Sequence, residues 1–336
     1  MRKYLLKNLL ILVVLALVVT VFSNSVLASK TLKFGAVVGP DDNLSRAVAK
    51  FIEVVEEKSD GEIEVDYFPG SQLGTAAQQL ESLRMGELDF FVGGVGWYSQ
   101  LVGGYNLWAA GFVMESYEHG VKVMESEIGQ DINNQLLDNY GIRMIDGTWY
   151  RAPRNLFTSE DAGPVHSVED VQGLVLRVPE LLAFTLPWNE AGASATPIPY
   201  GDLYMALEQG VADAFEGPLD LSYYNKMHEP IKYVNLINYQ YEVVGLVMSD
   251  RAYQDLSDEE VAIINEAAAE AKLVNNEIIR ESEDTVLKAM EEEGKIINRD
   301  VDRESFFEAL KDVPYIFEER GLWEEGTYDK VKELAN

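Results

Sequence analysis

Four arginines in the middle of the chain stand out as candidate functional residues. No lysine occurs between Lys122 and Lys226, and the permanently charged basic residues of that stretch are Arg143, Arg151, Arg154 and Arg177. Arginine stays charged when it is buried, and its planar guanidinium can hold a carboxylate through two parallel hydrogen bonds. The residue type therefore suits recognition of an organic anion.

Arg177 stands in the apolar stretch LVLRVP, which predicts a buried strand over Leu174–Val178. Side chains alternate along a strand, so Arg177 and Leu176 lie on opposite faces, close to the carboxyl end. Ligands of open α/β sheets bind at that end. A buried arginine needs an anionic partner, because an unpaired buried charge is costly. On these grounds two partners stay open, a carboxylate of the chain itself and a bound anion.

Arg151 and Arg154 flank Pro153 in the stretch TWYRAPRNLF. The tryptophan and tyrosine beside them suit the wall of a cleft. The alternative is a surface loop that carries ordinary solvated arginines, and the residues alone leave both interpretations open.

Motifs of enzymes and metal sites are absent or incomplete. His228-Glu229 begins like a zinc-protease motif, but Lys232 stands where the second histidine is needed. GGVGWYS, over 93–99, lacks the third glycine of a dinucleotide loop, and the chain has no cysteine. Asp41-Asp42-Asn43 offers cation ligands, but we expect helix capping there. The sequence thus predicts no catalytic residues, no metal and no cofactor.

The N-terminal segment predicts export. Basic residues precede a mostly apolar run over Leu9–Phe22, and Val26-Leu27-Ala28 fits a cleavage site, so 1–28 is a predicted signal peptide. The alternative is a segment that is retained as an anchor. The formal net charge of −30 disfavours nucleic acid as a partner.

Strand and helix patterns alternate along the rest of the chain, which predicts an α/β fold with parallel sheets in two lobes. Strands are predicted over Thr31–Val38, Glu62–Phe68, Leu88–Gly94, Ile142–Tyr150, Val211–Gly217 and Tyr241–Met248, with helices over Asn43–Lys58, Thr75–Met85 and Gly201–Gln209. Ser257 and Glu260 form a capping box before a helical pattern that continues to Gly294. A helix of that length spans about 50 Å, and we expect it to brace both lobes.

Several stretches resemble the DctP-type substrate-binding proteins of TRAP (tripartite ATP-independent periplasmic) transporters. The matching stretches are GLVLRVPE, AGASATPIPYGDLYMALEQGVADAFEGP, DYFPGSQLG and MGELDF. Their order and spacing agree with the family over essentially the whole chain after the N-terminal segment. The resemblance implies a two-lobed, periplasmic-binding-protein-like (type II-like) fold with a hinge between the lobes and a cleft that closes on one ligand.

The resemblance also implies roles for individual residues. The hallmark arginine of the R-V-P strand, which binds the ligand carboxylate, is Arg177 here. Arg154 matches a second family arginine better than Arg151, which stays a further candidate. Glu216 matches the family's acid, and Gly217 replaces an asparagine that often follows it. Glu216 either accepts hydrogen bonds from ligand hydroxyls or pairs with Arg154, and both options stay open.

Aromatic residues near these positions are candidates for the wall of the cleft, because such rings stack on sugar rings, aromatic acids or keto acid chains. They are Trp149, Tyr150, Trp188, Tyr204, Phe215 and Tyr223. Each also suits a hydrophobic core. Trp149 and Phe215 are the strongest candidates because they adjoin positions that match the family.

We therefore expect a periplasmic or otherwise extracytoplasmic receptor, a monomer, that binds a small carboxylate in an interlobe cleft and delivers it to the membrane subunits of a TRAP permease. Lobe I is predicted over 29–152 with about 241–275, lobe II over 153–240 with about 276–310, and a C-terminal helical segment over 311–336.

Three alternatives remain. The first is a binding protein of an ABC importer or a sensor system, and the second is a TRAP receptor for a neutral or metal-bridged ligand. The third is a hydrolase with two carboxylates, although no such pair stands out in the sequence.

Overall fold

The computed structural model describes residues 29–335. The predicted signal peptide over 1–28, with its alternative as a retained anchor, lies outside the described residues. Within 29–335 no helix is both long enough and apolar enough to cross a membrane.

The strands of the described region form two sheets. They are β1 (Lys30–Ala36), β2 (Ile63–Phe68), β3 (Phe90–Gly94), β4 (Ile142–Tyr150), β5 (Arg154–Thr158), β6 (Val175–Val178), β7 (Ser194–Pro197), β8 (Ala214–Pro218), β9 (Tyr233–Gln240), β10 (Val243–Ser249) and β11 (Ile296–Asn298). The first sheet has the order β2-β1-β3-β10-β4, and the second has the order β11-β9-β5-β8-β6-β7.

Helices cover both sheets. They are α1 (Asn43–Lys58), α2 (Ala76–Met85), α3 (Asn106–Ala109), α4 (Tyr117–Glu125), α5 (Glu127–Tyr140), α6 (Leu182–Glu190), α7 (Leu203–Glu208), α8 (Leu219–Tyr224), α9 (Asp250–Gln254), α10 (Asp258–Glu292), α11 (Arg303–Leu310), α12 (Val313–Glu319) and α13 (Thr327–Glu333). Short 3₁₀ turns precede α3 and α7. The α/β class that the sequence predicts is confirmed.

The expectation of purely parallel sheets is wrong. In the first sheet β1 runs parallel to β2 and β3, but β10 is antiparallel to both of its neighbours. In the second sheet β5 is antiparallel to β8 and β9. The reason lies in the connections between the sheets. The chain leaves the first sheet from β4 into β5 and returns from β9 into β10, so β4 and β10 run in opposite directions side by side, as do β5 and β9.

The chain passes between the sheets at these two short connections, and a third time between β10 and β11, through α9 and α10. Residues 151–153 join β4 to β5, and residues 241–242 join β9 to β10. Strands β1–β4 and β10 therefore share one sheet, while β5–β9 and β11 share the other. The exact lobe ranges stay a prediction.

The long helix begins and ends close to its predicted limits. Ser257 caps α10, with its side chain accepting from Glu260 N and the Glu260 carboxylate accepting from Ser257 N, as the capping box predicts. The helix has 35 residues, or about 50 Å at 1.5 Å per residue. It packs against α1 and β4 on the side of the first sheet and against α8 and β11 on the side of the second. The predicted bracing of both lobes is confirmed.

Aromatic packing stabilises each sheet separately. In the first, the ring of Phe34 packs against Phe51 and Phe90 at centroid distances of 5.6 and 5.5 Å. In the second, Phe157 of β5 and Phe215 of β8 stack at 4.5 Å, nearly parallel. The stacked pair fixes the register of the strands that carry the charged residues described next.

Candidate ligand-binding site

A cavity of about 630 Å³, including space that opens to solvent, lies between the two sheets. Its charged lining residues are Arg151, Arg154, Arg177, Glu216 and Glu242, and its aromatic ones are Trp97, Phe184, Tyr200 and Phe215. The carboxyl ends of β4, β6 and β9 lead to this space, which is the edge of a sheet where ligands of α/β proteins bind.

Arg177 is buried on β6 and has no acidic partner among residues 29–335. Its side chain is 2% exposed, its Nε donates to the carbonyl oxygen of Ile198 at 2.9 Å, and one terminal nitrogen is buried without a hydrogen bond. Burial lowers the pKa of Arg177 to about 10, so the side chain is still charged at neutral pH. A buried cation of this kind is stabilised by an anion that enters the cavity.

Arg154, the first residue of β5, is fully engaged by Glu216 of β8. Nε and one terminal nitrogen of Arg154 donate to the two carboxylate oxygens at 2.5 and 2.7 Å, and Tyr239 Oη donates to the same carboxylate at 2.5 Å. Burial alone would lower the pKa of Arg154, but the charge and hydrogen bonds of Glu216 outweigh it and raise the pKa above its ordinary value. The interpretation of this region as a surface loop is wrong, because Arg154 lies in a buried strand.

Arg151 and Glu242 lie in the two short connections between the sheets. Arg151 has a terminal nitrogen 3.6 Å from Glu242 Oε2, and Gly96 N donates to Glu242 Oε1 at 2.9 Å. A side chain at Gly94 or Gly96 would collide with the Glu242 carboxylate. The glycines of GGVG therefore let backbone and carboxylate approach closely, which is a different role from a phosphate loop.

Two aspartates lie behind Arg151, in a smaller cavity of about 250 Å³. Asp42 caps α1 by accepting from Leu44 N at 2.8 Å, as the sequence predicts, and Asp220 lies in the first turn of α8. Burial raises the pKa of both carboxyls, that of Asp220 to about 7, with the charge of Asp42 as a second cause for Asp220. Arg151 acts in the opposite direction on both.

The two sides of the cleft contact each other next to this pair. Asn225, just after α8, accepts from Gly39 N at 2.8 Å and donates to Asp42 Oδ2 at 2.6 Å. These bonds join the segment before α1 to the segment after α8, so they form only when the two sides are close.

The structure brings together five of the nine predicted site residues. Arg151, Arg154, Arg177, Phe215 and Glu216 all line the larger cavity. This placement gathers the charged candidates at one site, and their contact with a ligand stays a prediction.

The other four predicted site residues do not line that cavity. Trp149 is buried in the first sheet opposite Val244, and Trp188 is buried against Tyr239 and Phe306. Tyr204 points away and donates to Glu229 at 3.0 Å. Gly217 is buried on β8, where a Cβ would lie 3.2 Å from Ser222 Oγ.

Tyr200 and Glu242 line the cavity and were missed from the sequence. Tyr200 is half-buried, its buried hydroxyl has no hydrogen-bond partner among residues 29–335, and the Arg177 guanidinium carbon lies 6.0 Å from its ring centroid. Tyr200 lies in the stretch PIPYGDLY, and its position at the start of the short turn before α7 is the signal that could have identified it as a site residue. Glu242 follows a tyrosine between two strands, and no local pattern singles it out.

Within 29–335, no group of three or more histidine, aspartate or glutamate side chains is arranged to hold a metal ion.

Comparison with known proteins gives a consistent result. Residues 34–319 match the model of the DctP family, described as bacterial extracellular solute-binding protein, family 7. The chain is 27% identical over 302 residues to the 2,3-diketo-L-gulonate-binding periplasmic protein of Escherichia coli K12, covering 87% of this chain and 91% of that protein.

Two solved structures of TRAP periplasmic solute-binding proteins are similar throughout. One, from Roseobacter denitrificans with bound L-galactonate, has a TM-score of 0.83 and 27% identity, covering 92% of this chain and 100% of that chain. The other, from Fusobacterium nucleatum with bound sn-glycerol 3-phosphate, has a TM-score of 0.85 and 27% identity, covering 91% and 96%.

Proposed function

Because the chain belongs to the bacterial extracellular solute-binding proteins of family 7, we propose that it captures a small organic acid in the cavity between its sheets and passes it to TRAP membrane subunits. Two relatives support a carboxylate as the ligand: one is named for binding 2,3-diketo-L-gulonate, and the other was crystallised with L-galactonate. The proposal places the working protein outside the cytoplasm, as a monomer.

The observation that carries the proposal is the state of Arg177. Its guanidinium is buried and charged, and no carboxylate of residues 29–335 lies within ion-pair distance. A ligand carboxylate would supply the missing charge and accept from the unpaired terminal nitrogen. Such a charge-assisted pair is about twice as strong as a neutral hydrogen bond.

Tyr200 and Arg151 complete the proposed contacts. The unpaired hydroxyl of Tyr200 is available to donate to a second ligand oxygen near the carboxylate. Nε of Arg151 is also buried without a partner. Glu216 is assigned to Arg154 rather than to ligand hydroxyls, since both its oxygens accept from that arginine.

Capture works by closure of the two sides around the ligand. A ligand that binds the closed form better shifts the open–closed equilibrium by that difference in affinity. The bonds of Asn225 to Gly39 and Asp42 form across the cleft, and we expect the membrane subunits to recognise the rim that these contacts bring together.

The test is a thermal-shift screen of the purified protein against organic acids, with Arg177→Met beside the wild type. A ligand that binds only the folded state raises the melting temperature. We expect a set of carboxylates to stabilise the wild type and to have no effect on Arg177→Met.

The matched control is Arg84→Met, since Arg84 is an exposed arginine paired with Glu81 on the surface helix α2. It should keep the full ligand response. Stabilisation by neutral molecules alone, or a response that survives Arg177→Met, contradicts the proposed function.

A further inference from the structure

The charges that line the cavity leave one positive charge unmatched. Arg151, Arg154 and Arg177 face Glu216 and Glu242. Two nitrogens of Arg154 bind the two oxygens of Glu216, and Arg151 lies 3.6 Å from Glu242. Arg177 is the one of these three arginines without a carboxylate in ion-pair distance among residues 29–335. A ligand that carries one negative charge completes the balance.

A second negative charge on the ligand would meet acidic side chains in a neighbouring pocket, which we call the mouth. The mouth adjoins the cavity through Trp97 and Tyr200, which line both spaces. Its charged lining residues are Glu180 and Asp202, both exposed. Like charges placed together across a binding site disfavour association.

The opposite end of the cavity is equally unsuited to a second anion. Behind Arg151 lie Asp42 and Asp220, which already face that arginine. Any ligand carboxylate that reached Arg151 would compete with Glu242 and with these aspartates for one guanidinium.

Ligand hydroxyls would also find few free acceptors. Both oxygens of Glu216 accept from Arg154, and one also accepts from Tyr239. Glu242 Oε1 already accepts from Gly96 N. Hydroxyls that are buried without new partners weaken binding.

Most of the remaining wall is hydrophobic. Phe184, Phe215 and Leu181 lie among ten hydrophobic side chains that line the cavity, against the three arginines, two glutamates and Tyr200. An apolar or aromatic ligand body would bury its surface against these side chains, which is favourable in proportion to the area removed from water.

From these observations we infer that the site selects monocarboxylates with an apolar or aromatic body over dicarboxylates, phosphates and polyhydroxy acids. The inference rests on the proposed function and narrows its substrate class. Two internal ion pairs neutralise the charges of Arg151 and Arg154, so Arg177 is the arginine whose charge is left to pair with the ligand.

The test is isothermal titration calorimetry with acids of matched size. Phenylpyruvate and 4-methyl-2-oxopentanoate represent apolar monocarboxylates, while succinate, L-galactonate and sn-glycerol 3-phosphate represent the excluded classes. We expect at least one apolar monocarboxylate to bind about 10-fold or more tightly than all three of the others. Tighter binding of succinate, galactonate or glycerol 3-phosphate overturns the inference and leaves the proposed function standing. Absence of binding by every acid overturns both.

Variants test the charge balance directly. Glu216→Gln frees Arg154, and the affinity ratio of succinate to 4-methyl-2-oxopentanoate should rise about 10-fold. The double variant Glu180→Gln/Asp202→Asn changes exposed residues of the mouth, so it should fold, and the same ratio should rise by a smaller factor. The mouth variant keeps the test valid if Glu216→Gln does not fold. An unchanged ratio in the folded variants contradicts the inference.

Discussion

Arg154 and Arg177 lie on β5 and β6, the two neighbours of β8, and both are almost completely buried. Glu216 of β8 stands between them and engages Arg154 through two hydrogen bonds. Arg177 donates one hydrogen bond, from Nε to the carbonyl oxygen of Ile198. The surroundings therefore act in opposite directions: the pKa of Arg154 is raised by Glu216 against the effect of burial, whereas burial lowers that of Arg177 to about 10.

The difference separates a cation that stabilises the fold from one that is held ready for a ligand. A buried arginine that is paired with a carboxylate of the protein costs the ligand-free protein little stability. An unpaired one is costly in the empty protein, and that cost is recovered when an anion binds, which increases discrimination against neutral analogues.

The largest expected effect is on the free energy of unfolding of the ligand-free protein, when each arginine in turn is replaced by methionine. Arg154→Met leaves Glu216 buried and unpaired, which should lower the free energy of unfolding by about 3–5 kcal/mol. Arg177→Met removes an unpaired charge and should be neutral or stabilising. Urea unfolding of both variants measures the difference. Equal destabilisation by the two substitutions would contradict the contrast between them.

Two tyrosines extend the contrast between Arg154 and Arg177. Tyr239→Phe removes a donor to Glu216 and should lower the free energy of unfolding by about 1–3 kcal/mol. Tyr200→Phe removes a hydroxyl that has no partner in the described structure, so stability should hold while ligand affinity falls about 10- to 100-fold. Thermal unfolding and calorimetry separate the two effects. Loss of stability in Tyr200→Phe with unchanged affinity would show that the hydroxyl has no role in binding.

The aspartates behind Arg151 predict a dependence of stability on pH. Asp220 has its pKa raised from 3.8 to about 7 by burial and by Asp42, so the folded protein binds more protons than the unfolded chain between these values. Stability from this group is therefore greatest at low pH and falls as pH rises towards 7. In Asp220→Asn that loss should be absent, and the melting-temperature difference between variant and wild type should increase from pH 5 to pH 8. A difference that is constant over this range contradicts the raised pKa.

The smallest expected effect concerns closure. Asn225→Ala removes two hydrogen bonds that cross the cleft and should weaken ligand binding about 3- to 30-fold. Asn133→Ala is the matched control, because Asn133 accepts from Tyr105 within one lobe and should leave affinity unchanged. Equal affinities for the two variants would mean that Asn225 does not stabilise the closed form.

Local patterns allowed much of the fold to be predicted. The limits of α1 and β4 agree residue for residue with the prediction, and the cap of α10 was identified from Ser257 and Glu260. These features depend on neighbours a few residues apart, so a single sequence contains them. The antiparallel strands were missed because their direction depends on connections between sheets.

The site was predicted only where a strand pattern and a charge coincide. Arg177 met that condition. Its lack of a protein partner could not be predicted, because it depends on Glu216 pairing with Arg154, and only the tertiary structure shows that pairing. Asp42 and Asp220 are 178 positions apart in sequence, and no local pattern relates them.

The helix α10 determines how cooperatively the molecule unfolds. One continuous rod of 35 residues contributes core side chains to both halves, with Ile264 buried towards one end and Met290 towards the other. If α10 unfolds, the hydrophobic cores of both halves are exposed to water. Heating should therefore melt both halves in a single transition, and a ligand that contacts one side of the cleft protects the far side as well.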